Sequence, residues 1–243
     1  MLTSAVDLVD GEGRLTGVQW RPPGSLAYRE SSPAEINDQD WSKLPLETTG
    51  GLDALRTAIL NKEPPASFLA TCYSRSLYQA VEGYHNGYRM FPDYAFLEKL
   101  LAQNPLLIYV PERLFAYRWH AQNQYSADLR NGAIKYQIDA FHRTLELRQQ
   151  DLDAVQVSRE QVKRIFMERS VLDQALHAIA QGLWLRPFKC LAFAFATYPG
   201  LALRNPKTYA LAALLALGPI GNGLAKALYA WRRSRPAAQN ARN

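Results

Sequence analysis

Apolar and polar positions alternate over Ala5-Val6-Asp7-Leu8-Val9-Asp10, a two-residue period that predicts a half-buried strand. Gly11-Glu12-Gly13 supplies turn chemistry, and Leu15-Thr16-Gly17-Val18 returns as a second strand of a hairpin. From Arg21 to Pro45 the pattern dissolves into polar residues broken by Pro22, Pro23, Gly24 and Pro33, which predicts a loop. Gly51 to Leu60 reads as an amphipathic helix ending before Lys62-Glu63-Pro64-Pro65. The apolar run Phe68 to Tyr73 has strand length, and a short helix is expected to start with Ser76 as N-cap and to stop at Glu82-Gly83-Tyr84. Between Pro92 and Gln103, Phe96, Leu97, Leu100 and Leu101 recur at helical spacing, so this segment predicts a helix with one buried face. Leu106 to Val110 reads as a strand ended by Pro111, and Leu114 to Arg118 as a second extended piece leading into the polar loop Trp119 to Ser126. A helical region is expected from about Leu129 to Gly182, broken around Asp151 to Val157.

Two apolar segments follow, Trp184 to Tyr198 and Tyr209 to Trp231. The second spans 23 residues, nominally a bilayer's width, but Gly218-Pro219 and Asn222 interrupt it. A hairpin of short helices lying in a membrane interface fits those breaks better than a clean span. Charge sharpens this reading. The chain carries a net +6, yet all 22 acidic residues precede Trp184, while 9 of the 28 lysines and arginines follow it. Basic residues interleaved with long apolar runs point to an anionic membrane surface rather than to nucleic acid. The beginning Met1-Leu-Thr-Ser-Ala-Val-Asp carries no basic, apolar leader. Cys72 and Cys190 are isolated, which excludes a disulfide framework and favours a reducing setting; Cys72 reads as a small buried filler.

Between Ala66 and Ser126 the chain holds a run of small motifs in a fixed order. A strand ends in Ala70-Thr71-Cys72-Tyr73, followed by Arg75-Ser76 at a helix start and a Glu82-Gly83-Tyr84 turn. Pro92-Asp93-Tyr94 opens the next helix, and Val110-Pro111-Glu112 closes the next strand. Tyr117-Arg118-Trp119-His120-Ala121-Gln122-Asn123 completes the series. The whole resembles the acceptor-side half of inverting family 2 glycosyltransferases of the GT-A fold. Two departures stand out: the family's Gly-Gly-Phe/Tyr turn has one glycine fewer, and its Glu-Asp pair is Pro92-Asp93 here.

That resemblance implies an α/β fold class, a partial GT-A-type domain with a mixed sheet and flanking helices over residues 1–126. A helical extension over 127–183 and a membrane-associating helical tail over 184–243 would follow. It implies transfer of a sugar from a nucleotide-sugar donor to a glycan or lipid-linked hydroxyl, with Asp93 as general base. A carboxylate at a helix N-terminus is well placed to stay ionised and accept a proton. Taken by itself, Asp93 also reads as a helix cap. By the same resemblance Arg118, His120 and Asn123 would meet the donor diphosphate, His120 would complete a magnesium or manganese shell, and Thr71, Cys72 and Tyr73 would line the acceptor pocket. The family's nucleotide-binding half, with its Asp-x-Asp pair, is expected to be missing; Asp7 and Asp10 suit the hairpin rather than a metal. A gene fragment, an enzyme completed by a partner chain and a non-catalytic binding remnant all remain open. The expected location is cytoplasmic, peripheral on the inner face of the cell membrane.

Overall fold

The computed structural model describes residues 1–23, 25, 29–37, 39–61, 68–84, 92–118 and 147–233. They form an α/β chain with a mixed sheet, dividing into a unit up to Val162 and a second unit from Lys163 onward.

The first unit is built on strand β1 (Leu2–Val9), which forms the expected hairpin with β2 (Leu15–Trp20). Asp10 holds the turn: its Oδ1 accepts the N–H groups of Glu12 and Arg14, each at 2.9 Å, and its Oδ2 accepts Arg14 Nε at 2.8 Å. Strand β3 (Arg29–Ser31) extends the sheet beyond β2, and β4 (Glu47–Gly50) closes its other edge. β5 (Thr71–Cys72) pairs antiparallel with the start of β1, while β6 (Leu106–Arg118) runs parallel to β1 and antiparallel to β4.

Several local expectations change. The segment read as a loop holds β3, a short helix α1 (Pro33–Ile36) and a 3-10 turn at Trp41–Lys43. Its apolar residues are spaced by no regular period, yet Ile36, Trp41 and Leu44 all pack on Ala5, Val18 and Trp20 of the hairpin. Ser32 and Glu35 form a reciprocal capping box at the start of α1. The strand expected over Phe68–Tyr73 is a 3-10 turn, Phe68–Ala70, followed only by β5. The following helix, α3 (Arg75–Ala80), is capped by Ser74, whose Oγ accepts the Leu77 N–H at 3.2 Å; Ser76 lies inside it.

Pro111 does not end its strand. β6 continues through it because the register jumps from Val110 opposite Ser4 to Arg113 opposite Ala5, then to Phe115 opposite Val6. These bulges leave Pro111, which has no N–H to donate, outside the ladder.

Helices α2 (Gly51–Asn61) and α4 (Pro92–Ala102) form as expected and pack together over the sheet. Their core residues Leu55, Ile59 and Leu101 meet Leu107 of β6. Leu152 and Val162, from α5 (Gln149–Ala154) and α6 (Arg159–Ile165), complete this core. Each such leucine contributes about 2 kcal/mol by leaving water. The break expected over residues 151–157 is displaced: residues 151–154 belong to α5, and the chain turns between Ala154 and Arg159, with Gln156 in the left-handed region at φ 54°. The helix expected over residues 129–146 lies outside the described residues.

In the second unit, a seven-residue π-helical stretch, Phe166–Leu172, leads into α7 (Asp173–Ala180). Instead of two apolar segments there are four helices: α8 (Leu185–Thr197), α9 (Pro199–Arg204), α10 (Pro206–Ala216) and α11 (Pro219–Arg233). A proline opens each of the last three, where its missing N–H costs nothing. Phe166, Leu176, Ile179, Cys190 and Leu211 are among the residues buried in this unit. Asn222 Nδ2 donates to Ile179 O at 2.6 Å, and Lys207 Nζ pairs with Asp173 at 3.0 Å. Among the described residues, no helix is long and apolar enough to cross a membrane.

Candidate functional site

Asp93 sits half-buried in the first turn of α4, and the rings around it come from α3, the turn that follows and the end of β5. Phe96, one turn along α4, is the hub. Tyr73 lies edge-on to it at 5.2 Å, Tyr78 at 5.8 Å and Tyr84 tilted at 5.6 Å, while Tyr73 and Tyr78 stack at 6.3 Å. Phe96 is buried, but Tyr78 and Tyr84 expose more than a third of their surface. The Tyr84 hydroxyl titrates above the usual tyrosine range, first because burial disfavours the phenolate, then because the Asp93 charge and Tyr73 oppose it. Asp93, Tyr73 and Tyr84 therefore share one electrostatic neighbourhood, with aromatic faces and edges beside a carboxylate.

The turn that delivers Tyr84 is strained. After α3, the N–H of Gly83 donates to Tyr78 O at 2.9 Å and that of Glu82 to Gln79 O at 3.0 Å. This is the Schellman arrangement, and it requires a left-handed residue at the position held by Glu82, φ 60°. Gly83 follows at φ 75°, and a β-carbon there would lie 2.7 Å from Tyr78 Oη. The glycine that the turn lacks is thus the one at the left-handed helix cap, where a glutamate costs about 1 kcal/mol. Non-glycine residues held in this region concentrate at functional sites.

Glu82 lines a cavity of about 280 Å³ together with Lys99, Gln103, Leu147, Arg148 and Asp151. Arg148 grips the buried carboxylate of Asp151 through two bonds, Nε–Oδ2 at 2.8 Å and Nη2–Oδ1 at 2.9 Å. Sequence reasoning did not single out these residues. The i, i+3 spacing of Arg148 and Asp151 was legible, but their meeting with Glu82 and Lys99 depends on long-range packing. One turn therefore serves two places: Glu82 borders the cavity, and Tyr84 borders Asp93.

The other expected site residues divide. Thr71 and Cys72 lie opposite Thr3 and Leu2 at the start of β1, and Tyr73 directly follows them in the aromatic cluster. Cys72 is exposed, not a buried filler; Cys190 is the buried thiol. Arg118 pairs with Val9, six residues further along β1 than the partner of Thr71. At about 3.3 Å per residue that is about 20 Å, so the strands carry Arg118 away from Thr71. His120 and Asn123 lie outside the described residues. Among the described residues, no three histidine, cysteine, aspartate or glutamate side chains converge on one position. Asp7 is paired with Arg113 at 3.3 Å, and Asp10 is committed to its turn.

An unexpected buried cation ties the sheet together. The Arg21 side chain is 1% exposed and donates from Nη2 to Glu47 Oε2 at 3.0 Å, with its guanidinium 5.0 Å from the Tyr109 ring centroid. The backbone N–H of Arg21 donates to Tyr109 Oη at 2.9 Å. The Tyr109 hydroxyl titrates above its ordinary value, because burial outweighs the opposing pull of Arg21. No family model, curated protein or solved structure matches this chain.

Proposed function

We propose that this chain is the acceptor-side part of an inverting glycosyltransferase of the GT-A type, transferring sugar from a nucleotide-sugar to a glycan or lipid-linked hydroxyl. The single observation that carries this reading is the placement of Asp93. It stands in the first turn of α4, whose dipole favours a carboxylate there, beside a group of exposed tyrosines. The carbon-bound hydrogens of a pyranose carry slight positive charge and stack on the negative faces of such rings. A sugar held against Tyr78 and Tyr84 would present a hydroxyl to Asp93. Asp93 would take that proton as the oxygen attacks the donor's anomeric carbon, and the nucleoside diphosphate would leave with the electrons of the broken bond. By resemblance, Arg118, His120 and Asn123 would face the diphosphate, and a divalent ion would neutralise it.

The separation of Arg118 from Thr71 favours a second reading, a non-catalytic binding chain that uses the aromatic cluster to hold a glycan or to engage a partner chain. One experiment separates the two. The purified chain is assayed for release of nucleoside diphosphate from a panel of uridine, guanosine and thymidine diphosphate sugars with magnesium or manganese and oligosaccharide acceptors. Under the transferase reading, Asp93→Asn lowers turnover at least a hundredfold and leaves the donor KM unchanged. Turnover unaffected by Asp93→Asn removes Asp93 from the mechanism. Glycan binding that depends on Tyr78 and Tyr84, with no transfer under any of these conditions, establishes the binding reading.

A further inference from the structure

Helix α8 carries large apolar side chains on its outer face. Along it, the inward positions at a four-residue spacing are Arg186, 7% exposed, Cys190, 0%, and Ala194, 0%. The outward stripe at three- and four-residue steps is Leu185, 67% exposed, Phe188, 56%, Ala192 and Phe195, 42%. A helix bathed in water places its large apolar side chains inward and its charges outward. Here Arg186, Cys190 and Ala194 are inside and Leu185, Phe188 and Phe195 are outside, while Leu191 and Phe193 are half-buried, Phe193 edge-on to Phe166 at 6.5 Å. Helix α11 repeats the pattern, with Gly221 and Ala225 buried and Ile220, Leu224 and Leu228 exposed. Two helices of one unit thus present large apolar side chains outward.

Charge decides what those side chains meet. Exposed Lys189 lies beside the α8 stripe, and exposed Arg204 and Lys226 belong to the same unit. No aspartate or glutamate follows Asp173 in the sequence. A second copy of this chain would bring the same unbalanced cations against the stripe, with no acid in the last seventy residues to answer them. An anionic lipid surface answers both features. Its acyl region accepts an apolar stripe lying in the plane of the interface, and its phosphates accept the lysines and arginines. The lack of a membrane-crossing helix among the described residues is consistent with lying on a bilayer rather than through it.

We propose that the unit from Lys163 to Arg233 docks on an anionic phospholipid bilayer through the outward stripe of α8, Leu185, Phe188 and Phe195, with Lys189 at headgroup level. This inference does not rest on the transferase reading, since it uses no residue of the Asp93 site. The test is flotation of the full chain with vesicles of phosphatidylcholine alone or mixed with phosphatidylglycerol, at low and high salt. Binding to the mixed vesicles should be at least tenfold tighter than to phosphatidylcholine alone and should weaken in high salt. The double substitution Phe188→Ser with Phe195→Ser should lower binding at least tenfold while the circular dichroism stays unchanged, because both side chains already face outward. Lys189→Glu should cost about fivefold or more, the worth of one lysine near an anionic surface. Should the serine variant fail to fold, brominated phosphatidylglycerol supplies a measurement on the unmodified chain, since Trp184, adjoining the stripe, must then lose fluorescence. Asp93→Asn should bind vesicles like the parent chain. Equal binding to both vesicle types, no binding, or unquenched fluorescence overturns the proposal. A dimer that the serine substitutions dissociate overturns it in favour of a second copy.

Discussion

Exchanging Glu47 for glutamine leaves Arg21 as a buried cation whose carboxylate partner is gone. The pair is separated by 3.0 Å, with the arginine side chain 1% exposed and the glutamate 20%. At an effective dielectric constant of about 20, opposite unit charges at that distance attract by about 5 kcal/mol. Glutamine still offers one oxygen to Nη2, and the exposed edge of position 47 admits some water. The expected net loss is therefore about 2–3 kcal/mol, toward the lower end of what breaking a buried pair costs. Arg21 also carries a standing cost, because its buried Nε and Nη1 make no hydrogen bond among the described residues. Replacing the pair together, Arg21→Met with Glu47→Leu, should return stability to within about 1 kcal/mol of the parent. The assay is urea unfolding of the full chain followed by tryptophan fluorescence. Trp20, the neighbour of Arg21, is held edge-on to Trp41 at 5.3 Å and reports on this end of the sheet. A Glu47→Gln chain within about 0.5 kcal/mol of the parent, or a double variant as unstable as its two singles combined, would refute the reasoning.

Glu82→Gly should stabilise the chain by about 1 kcal/mol, because glycine enters the left-handed region without steric cost; an unchanged urea midpoint would count against the strained cap. Gly83→Ala should lose about 2 kcal/mol or more, since its methyl would meet Tyr78 Oη at 2.7 Å and φ is 75°. In an absorbance titration near 295 nm, Asp93→Asn should lower the Tyr84 transition without restoring the ordinary value. Burial, the larger cause, remains after the charge is removed. Of the two cysteines, Cys72 should react rapidly with a thiol reagent in the native chain, and Cys190 only on unfolding. Burial pushes the Cys190 thiol up to about 11. Its contribution to stability is therefore complete below about pH 9 and is lost as pH rises toward 11, which an alkaline series of unfolding midpoints checks.

The elements whose periods are unbroken were legible from local pattern. The hairpin of β1 and β2, helix α2 and helix α4 each bury one face, so the spacing of Leu55 and Ile59, or of Phe96 and Leu100, was enough. The shift of charge along the chain and the break of the tail at Gly218-Pro219 were equally plain, but the separate helix opened by Pro206 was not. Asp93 could be placed at a helix start because Pro92 and the run behind it mark one.

Long-range contact decided the rest. Ile36, Trp41 and Leu44 have no common period, and only the hairpin face they cover makes them a core. Pro111 reads as a strand end until the bulges opposite Ala5 absorb it. Arg118 follows the Asp93 segment in a familiar order, yet the parallel pairing of β6 with β1 carries it about 20 Å from Thr71. Arg21, in a stretch of prolines, became the buried partner of Glu47 only when β2, β6 and β4 were assembled. The apolar residues of α8 were visible as a count, but which of them face outward depends on what α7 and the π-helical stretch cover. Local pattern determines which segments can fold and where one carboxylate meets a helix dipole. The meeting of residues far apart in sequence is a property of strand register and packing, to which no single segment is sensitive.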